Sequence, residues 1–71
     1  MNEPPGPVLH SNLPIIEVAE PSVLDQLLAD SATAAFLPVR LSECVAVVDP
    51  ERFDALVLRL RKLGHLPKVE G

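Results

Sequence analysis

Three side chains in this sequence have the chemistry of a nucleophile, a base or a soft metal ligand: His10, Cys44 and His65. A thiolate paired with an imidazole would make a nucleophile, and the three together would make an incomplete zinc set. Their spacing follows no zinc pattern. Cys44 leads into the apolar run Val45-Ala46-Val47-Val48, and no histidine–acid pair can be assigned to activate it. It reads as an inert buried thiol. His10 falls in a proline-rich opening, and His65 follows Gly64 at the end of a basic stretch. His65 there reads as a loop residue complementing the negative end of a helix.

The acids Glu20, Asp25, Asp49 and Asp54 come in two matched pairs. Paired carboxylates can run acid–base catalysis. All four, however, fall at the starts of expected helices, where negative charge is stabilised by the helix dipole. No glycine-rich phosphate loop, dinucleotide fingerprint or nucleophile motif can be drawn. The chain therefore reads as no enzyme, with no cofactor, no metal and no small-molecule substrate.

The bases are more suggestive. Up to Glu51 the only base is Arg40, against eight acids; from Arg52 onward Arg52, Arg59, Arg61, Lys62 and Lys68 face only Asp54 and Glu70. Arg52, Arg59, Arg61 and Lys62 share the second expected helix, whose polar face could touch phosphates. A solvated face opposite a leucine stripe is the competing reading. No aromatic residue accompanies these bases, so stacking on single strands is not expected. A net charge of −4 argues against general affinity for nucleic acid or anionic membrane.

Behind these residues stands an apparent repeat, with chance similarity of two βα units as the competing reading, since the same capping chemistry would generate it. Val18 to Leu28 lines up with Val47 to Val57, with valine, acid-proline, aspartate and leucine recurring in place. Each copy reads as a strand running into a proline-started helix. Ile15 to Ala19 is a β-branched strand, followed by a helix carrying Val23, Leu24, Leu27 and Leu28. Asp30 or Ser31 can cap a further short turn through Phe36 before Pro38 blocks continuation. Val39 to Val48 is the second strand region, and its continuous apolar end suits a strand covered on both faces. Asp49, the better N-cap of the two, starts the second helix, with the stripe Phe53, Leu56, Val57, Leu60 and Leu63. Gly64 is placed to end it in the left-handed conformation. Leu66 to Val69 reads as a brief extended tail.

The expected fold is a small α/β domain of order β-α-β-α. It has two or three strands, mainly parallel, with helices packed on one side. Residues 1–12 read as a flexible proline-rich leader, in which Val8 and Leu9 could add a short edge strand, and 13–71 as one domain. In equivalent units, Leu24 matches Phe53, Leu27 matches Leu56 and Leu28 matches Val57. The two strands should lie adjacent and parallel.

The same residues resemble a known family. Glu20-Pro21-Ser22-Val23-Leu24-Asp25-Gln26-Leu27-Leu28-Ala29-Asp30 is similar to a stretch near the end of the helicase-associated domain in bacterial and archaeal proteins related to XPB-type DNA helicases. There an acid-proline start leads into a leucine helix ending in Ala-Asp. The strand Leu41 to Val47 and the closing Leu60-Arg61-Lys62-Leu63-Gly64-His65-Leu66-Pro67 resemble the same domain, so the likeness spans Ile15 to Val69. The residue after the glycine, often aromatic in that family, is His65. The chain has no Walker A loop and no helicase motif. What the resemblance implies is an accessory module of a DNA-processing system, without motor activity.

Size sharpens this. A core of 71 residues rarely supplies more than about 3–5 kcal/mol, and no disulfide or metal is available to help. Yet 48% of the residues are hydrophobic, which fits either aliphatic surface buried against another protein or a second copy, or simply a dense aliphatic mini-core. The leading expectation is a non-catalytic protein-interaction module that docks or oligomerises through Val23, Phe36, Leu58 and Leu66. The alternative is a weak nucleic-acid-binding module using Arg52, Arg59, Arg61 and Lys62. The opening residues are no signal peptide, no apolar run approaches the roughly 20 residues of a membrane span, and a lone cysteine fits a reducing cytoplasm.

Overall fold

The computed structural model describes residues 6–71. The elements in chain order are β1 (Val8–His10), β2 (Ile15–Glu17), α1 (Pro21–Ala29), α2 (Ser31–Ala34), β3 (Val39–Arg40), β4 (Val45–Val47), a 3₁₀ turn (Pro50–Arg52), α3 (Phe53–Lys62) and β5 (Lys68–Glu70). The strands form one five-stranded sheet in the order β3-β4-β2-β1-β5. Only β1 and β5 pair in parallel; the other three neighbouring pairs are antiparallel.

This corrects the expected sheet of two or three mainly parallel strands. The expected second strand, Val39 to Val48, folds back on itself as the hairpin β3–β4. Leu41 and Ser42 donate their N–H groups to the Val45 carbonyl, and Arg40 Nε and Nη2 donate to the Ser42 and Glu43 carbonyls across the turn. The reversal makes β4 run antiparallel to β2, its neighbour. The crossover logic survives one strand further out. The pairings make β3 parallel to β2, with β4 between them, and β5 parallel to β4, with β2 and β1 between them. Each helix-containing connection thus joins parallel strands that are not neighbours.

The second correction is β1. Part of the stretch read as a leader is an interior strand, paired to β2 on one side and β5 on the other. Residues 1–5 of that leader lie outside the described residues. Leu9 is fully buried, and the loop Ser11–Pro14 turns the chain into β2. Gly6 is required where β1 begins, because a Cβ there would collide with the Leu66 carbonyl.

Period-two alternation sets the two faces of the sheet. Leu9, Ile16 and Ala46 form a row of direct cross-strand partners and are all fully buried. Val18 and Val48 extend this face, and Leu24 and Leu27 of α1, Leu37, and Leu56 and Leu60 of α3 complete a single core against it. The expected core pairs hold in the helices. Leu27 and Leu56 are both buried and Leu28 and Val57 both half-buried, while Leu24 is fully buried and Phe53 partly so. Leu63 falls beyond the helix end and is exposed.

The helix termini follow their local chemistry. Pro21 opens α1 after Glu20, whose side chain makes no cap. Asp49 does cap, accepting from the Glu51 N–H at 3.1 Å. Gly64 has φ +90°, the Gly64 N–H donates to the Arg61 carbonyl and the His65 N–H to the Leu60 carbonyl. That pair of bonds is a Schellman motif, which only a residue tolerant of positive φ completes cheaply.

Candidate functional site

The helix-free face of the sheet is the first surface. Val8, Ile15, Val45 and Val47 point to it and are half-buried, and Val39 on the edge strand is 50% exposed. None of the five packs against the core. Register brings Val39, Val47, Ile15 and His10 into one cross-strand row, with Val45, Glu17 and Val8 in the next. An antiparallel sheet with one solvated face normally turns polar residues outward. Here the polar groups are Glu17 and His10, joined by a 2.7 Å contact between Glu17 Oε1 and His10 Nε2, with Lys68 and Glu70 on the far strand. The run Val45 to Val48 is therefore covered on one side only: Ala46 and Val48 are buried and the two flanking valines are not.

The second surface lies between α2 and α3. Asp30 ends α1, and its carboxylate accepts from the Ala32 N–H at 3.3 Å, from Thr33 Oγ1 at 2.8 Å and from Arg59 Nη2 at 2.8 Å. Thr33 is fully buried. The Arg59 guanidinium, followed by the Thr33 hydroxyl, holds the Asp30 carboxyl below its ordinary range. This clamp ties α3 to the α1–α2 junction across 29 positions of sequence. One atom in it, the buried Arg59 Nε, lacks a partner among the described residues.

Beside the clamp runs an open groove of about 610 Å³ lined by Ala32, Phe36, Ala55, Leu58, Arg59, Arg61 and Lys62. Ala55 and Leu58 sit three positions apart on α3, turned away from the buried stripe of Leu56 and Leu60. Leu58 is 63% exposed. Phe36 is partly buried against the core, and the Arg52 guanidinium lies 5.9 Å from its ring centroid.

Of the four bases expected to contact nucleic acid, two are engaged within the chain. Arg59 is held by Asp30, while Arg52 lies over Phe36 and 3.8 Å from Asp49. Arg61 and Lys62, in the last turn of α3, have no acidic partner among the described residues. Of the four residues expected at a partner interface, Phe36 and Leu58 share the groove. Leu66 is 74% exposed and lines a separate shallow hollow with Gly64, His65, Pro67 and Arg61. Val23 is half-buried against the core.

Cys44 is free, half-buried and packed on the core. Among the described residues no group of three or more His, Cys, Asp or Glu is placed to hold a metal ion, and no helix is long and apolar enough to cross a membrane. The sequence reading missed the outward valines, whose signal was the alternation itself, and Ala32 and Ala55, whose small size carries no signal until α2 and α3 are set side by side. No protein-family model, no curated protein and no solved structure matches the chain.

Proposed function

We propose that this chain is a non-catalytic protein-interaction module, an accessory domain of a DNA-processing system of the helicase-associated kind. Its task is to dock through aliphatic surface. The observation that carries the reading is the outer face of the sheet, where Val8, Ile15, Val45, Val47 and Val39 are left without a covering layer. A two-layer domain with an apolar outer sheet face gains by burying it, at about 25 cal/mol per Å² of apolar area removed from water. The resemblance of Ile15 to Val69 to the helicase-associated domain supplies the DNA-processing context.

The test is association measured by sedimentation and light scattering, with an apolar dye reporting the exposed face. The wild-type chain associates across the micromolar range or binds the dye, and Val47→Lys abolishes both while far-UV circular dichroism stays unchanged. A stable monomer throughout that range, with no dye bound, overturns the reading.

A nucleic-acid role draws support only from Arg61 and Lys62. Two cations without an acidic partner among the described residues, on a chain of net charge −4, supply few phosphate contacts, so this reading expects weak, salt-sensitive binding. Absence of binding to duplex and single-stranded DNA at low salt removes it.

A further inference from the structure

We infer that the groove between α2 and α3 is a second docking site, separate from the outer sheet face, and that it takes an acidic amphipathic helix of a partner protein. The inference goes beyond the sheet-face reading and does not need it. Three observations carry it.

The first is that α3 has two apolar stripes. Leu56 and Leu60 face the core and are fully buried. Ala55 and Leu58 face away from it and form the groove with Ala32 and Phe36. A helix packed on one side only should place polar residues at both outward positions. The exposed leucine flanked by two alanines instead leaves an anchor beside room for a close approach.

The second is that the groove wall is held in place. Asp30 accepts from Arg59 and Thr33 at 2.8 Å each, so the spacing of α2 and α3 is set before any ligand arrives. A preformed groove spares the ordering cost that weakens binding by flexible surfaces.

The third is the sign of the rim. Arg61 and Lys62 both line the groove, and both lack an acidic partner among the described residues. On a chain with ten acids and six bases, two unpaired cations at one apolar groove define the charge of what belongs there. An apolar floor with a cationic rim fits a helix that presents leucine-type anchors flanked by glutamate or aspartate. A nucleic-acid backbone would use the cations and leave Leu58 and Phe36 without a role.

Fluorescence anisotropy with synthetic helices tests this on the intact chain. The probe is a labelled amphipathic peptide of roughly 16 residues, with leucines at i, i+4 and i+7 and glutamates beside them. Its counterpart carries lysine for glutamate, and a duplex DNA of equal charge is the third ligand. The acidic peptide binds at low salt and weakens as salt screens the rim. The basic peptide does not bind, and DNA binds more weakly than the acidic peptide. Leu58→Glu and the double variant Arg61→Glu/Lys62→Glu each lose about tenfold or more in affinity. Leu58 is exposed, so its variant keeps the fold, checked by circular dichroism. Val47→Lys leaves peptide binding unchanged, which separates this groove from the sheet face.

Four results of the binding assays overturn the proposal. They are no acidic-peptide binding up to millimolar concentration at low salt, equal binding of the basic peptide, tighter binding of DNA, and peptide binding untouched by Leu58→Glu. Self-association abolished by Leu58→Glu would assign the groove to a second copy of the chain, which also overturns it.

Discussion

The unit running from β2 into α1 and the unit running from β4 into α3 put equivalent leucines into one core by different routes. In the first, Pro21 opens an α-helix directly and Glu20 makes no side-chain cap. In the second, Asp49 caps and a 3₁₀ turn precedes α3. The strands differ in phase by one residue: Val18 lies three positions before Pro21 and is buried, whereas its counterpart Val47 is only half-buried and Val48 is buried instead. The slip falls where the 3₁₀ turn replaces an α-helical first turn. The exits differ too, since α1 leads through Asp30 into α2 while α3 stops at Gly64. Helix-side packing is thus the part the two units share, and the termini are where each was fitted to its place.

The largest effect should come from what they share. Leu27→Ala and Leu56→Ala each remove a fully enclosed side chain, at about 2–5 kcal/mol. That is comparable to the whole stability of so small a domain. Urea denaturation should find both variants unfolded or nearly so. One variant that keeps wild-type stability would break the equivalence.

Next is the exit of the second unit. A Cβ on Gly64 meets nothing within 4 Å, so Gly64→Ala tests conformation alone. At φ +90° it should cost about 1–2 kcal/mol, read as a lower denaturation midpoint. The exit of the first unit offers no such contrast, because its cap residue Asp30 has φ −82° and needs no glycine.

The helix starts should separate the units again. Asp49→Ala loses the cap on the Glu51 N–H and should cost about 1 kcal/mol. Glu20→Ala removes no cap and should leave the midpoint nearly unchanged. Equal costs would mean that the two starts work alike.

The smallest effect is expected at the exit of the first unit. The folded-state carboxyl of Asp30 titrates below its ordinary range because of Arg59 and Thr33. Its contribution is therefore full above the unfolded-state value and is lost as pH falls through the lowered one. The unfolding free energy of wild type should drop between neutral pH and strong acid by more than that of Asp30→Asn. Parallel pH profiles would show that the clamp adds nothing.

Much of the helical layer was legible. Acid-proline starts, leucines at helical spacing and a glycine after two bases are local signals, and each reports on a few neighbouring residues. The sheet was not legible to the same degree. Strands β3 and β4 have two and three residues, too short for alternation to show, and their turn Leu41–Cys44 lacks glycine, proline and asparagine. The two therefore read as one strand. Strand β1 was legible only as a short edge strand at Val8 and Leu9 because of the prolines before it, although Ser11, Asn12 and Pro14 marked a turn between two apolar runs. The candidate surfaces were half legible. Phe36 and Leu58 could be picked out as apolar residues to spare, but the pairing of Arg59 with Asp30 depends on α3 packing beside α2. No local pattern encodes that.

The parallel β1–β5 pair has a kinetic consequence. Leu9 meets Ile16 after a short hairpin, whereas it meets Val69 only after nearly the whole described chain has been made. Closing that larger loop costs about 2 kcal/mol more in chain entropy than closing the hairpin. Strand β1 precedes every other strand of this sheet in the chain, yet it is among the last of them to have both its edges satisfied. Until β5 arrives, the Leu9 strand, next to last in the sheet, presents a bare row of donors and acceptors, a template for pairing with other nascent chains. The closing strand carries Lys68 and Glu70, so once it docks, the edge facing solvent is a charged one.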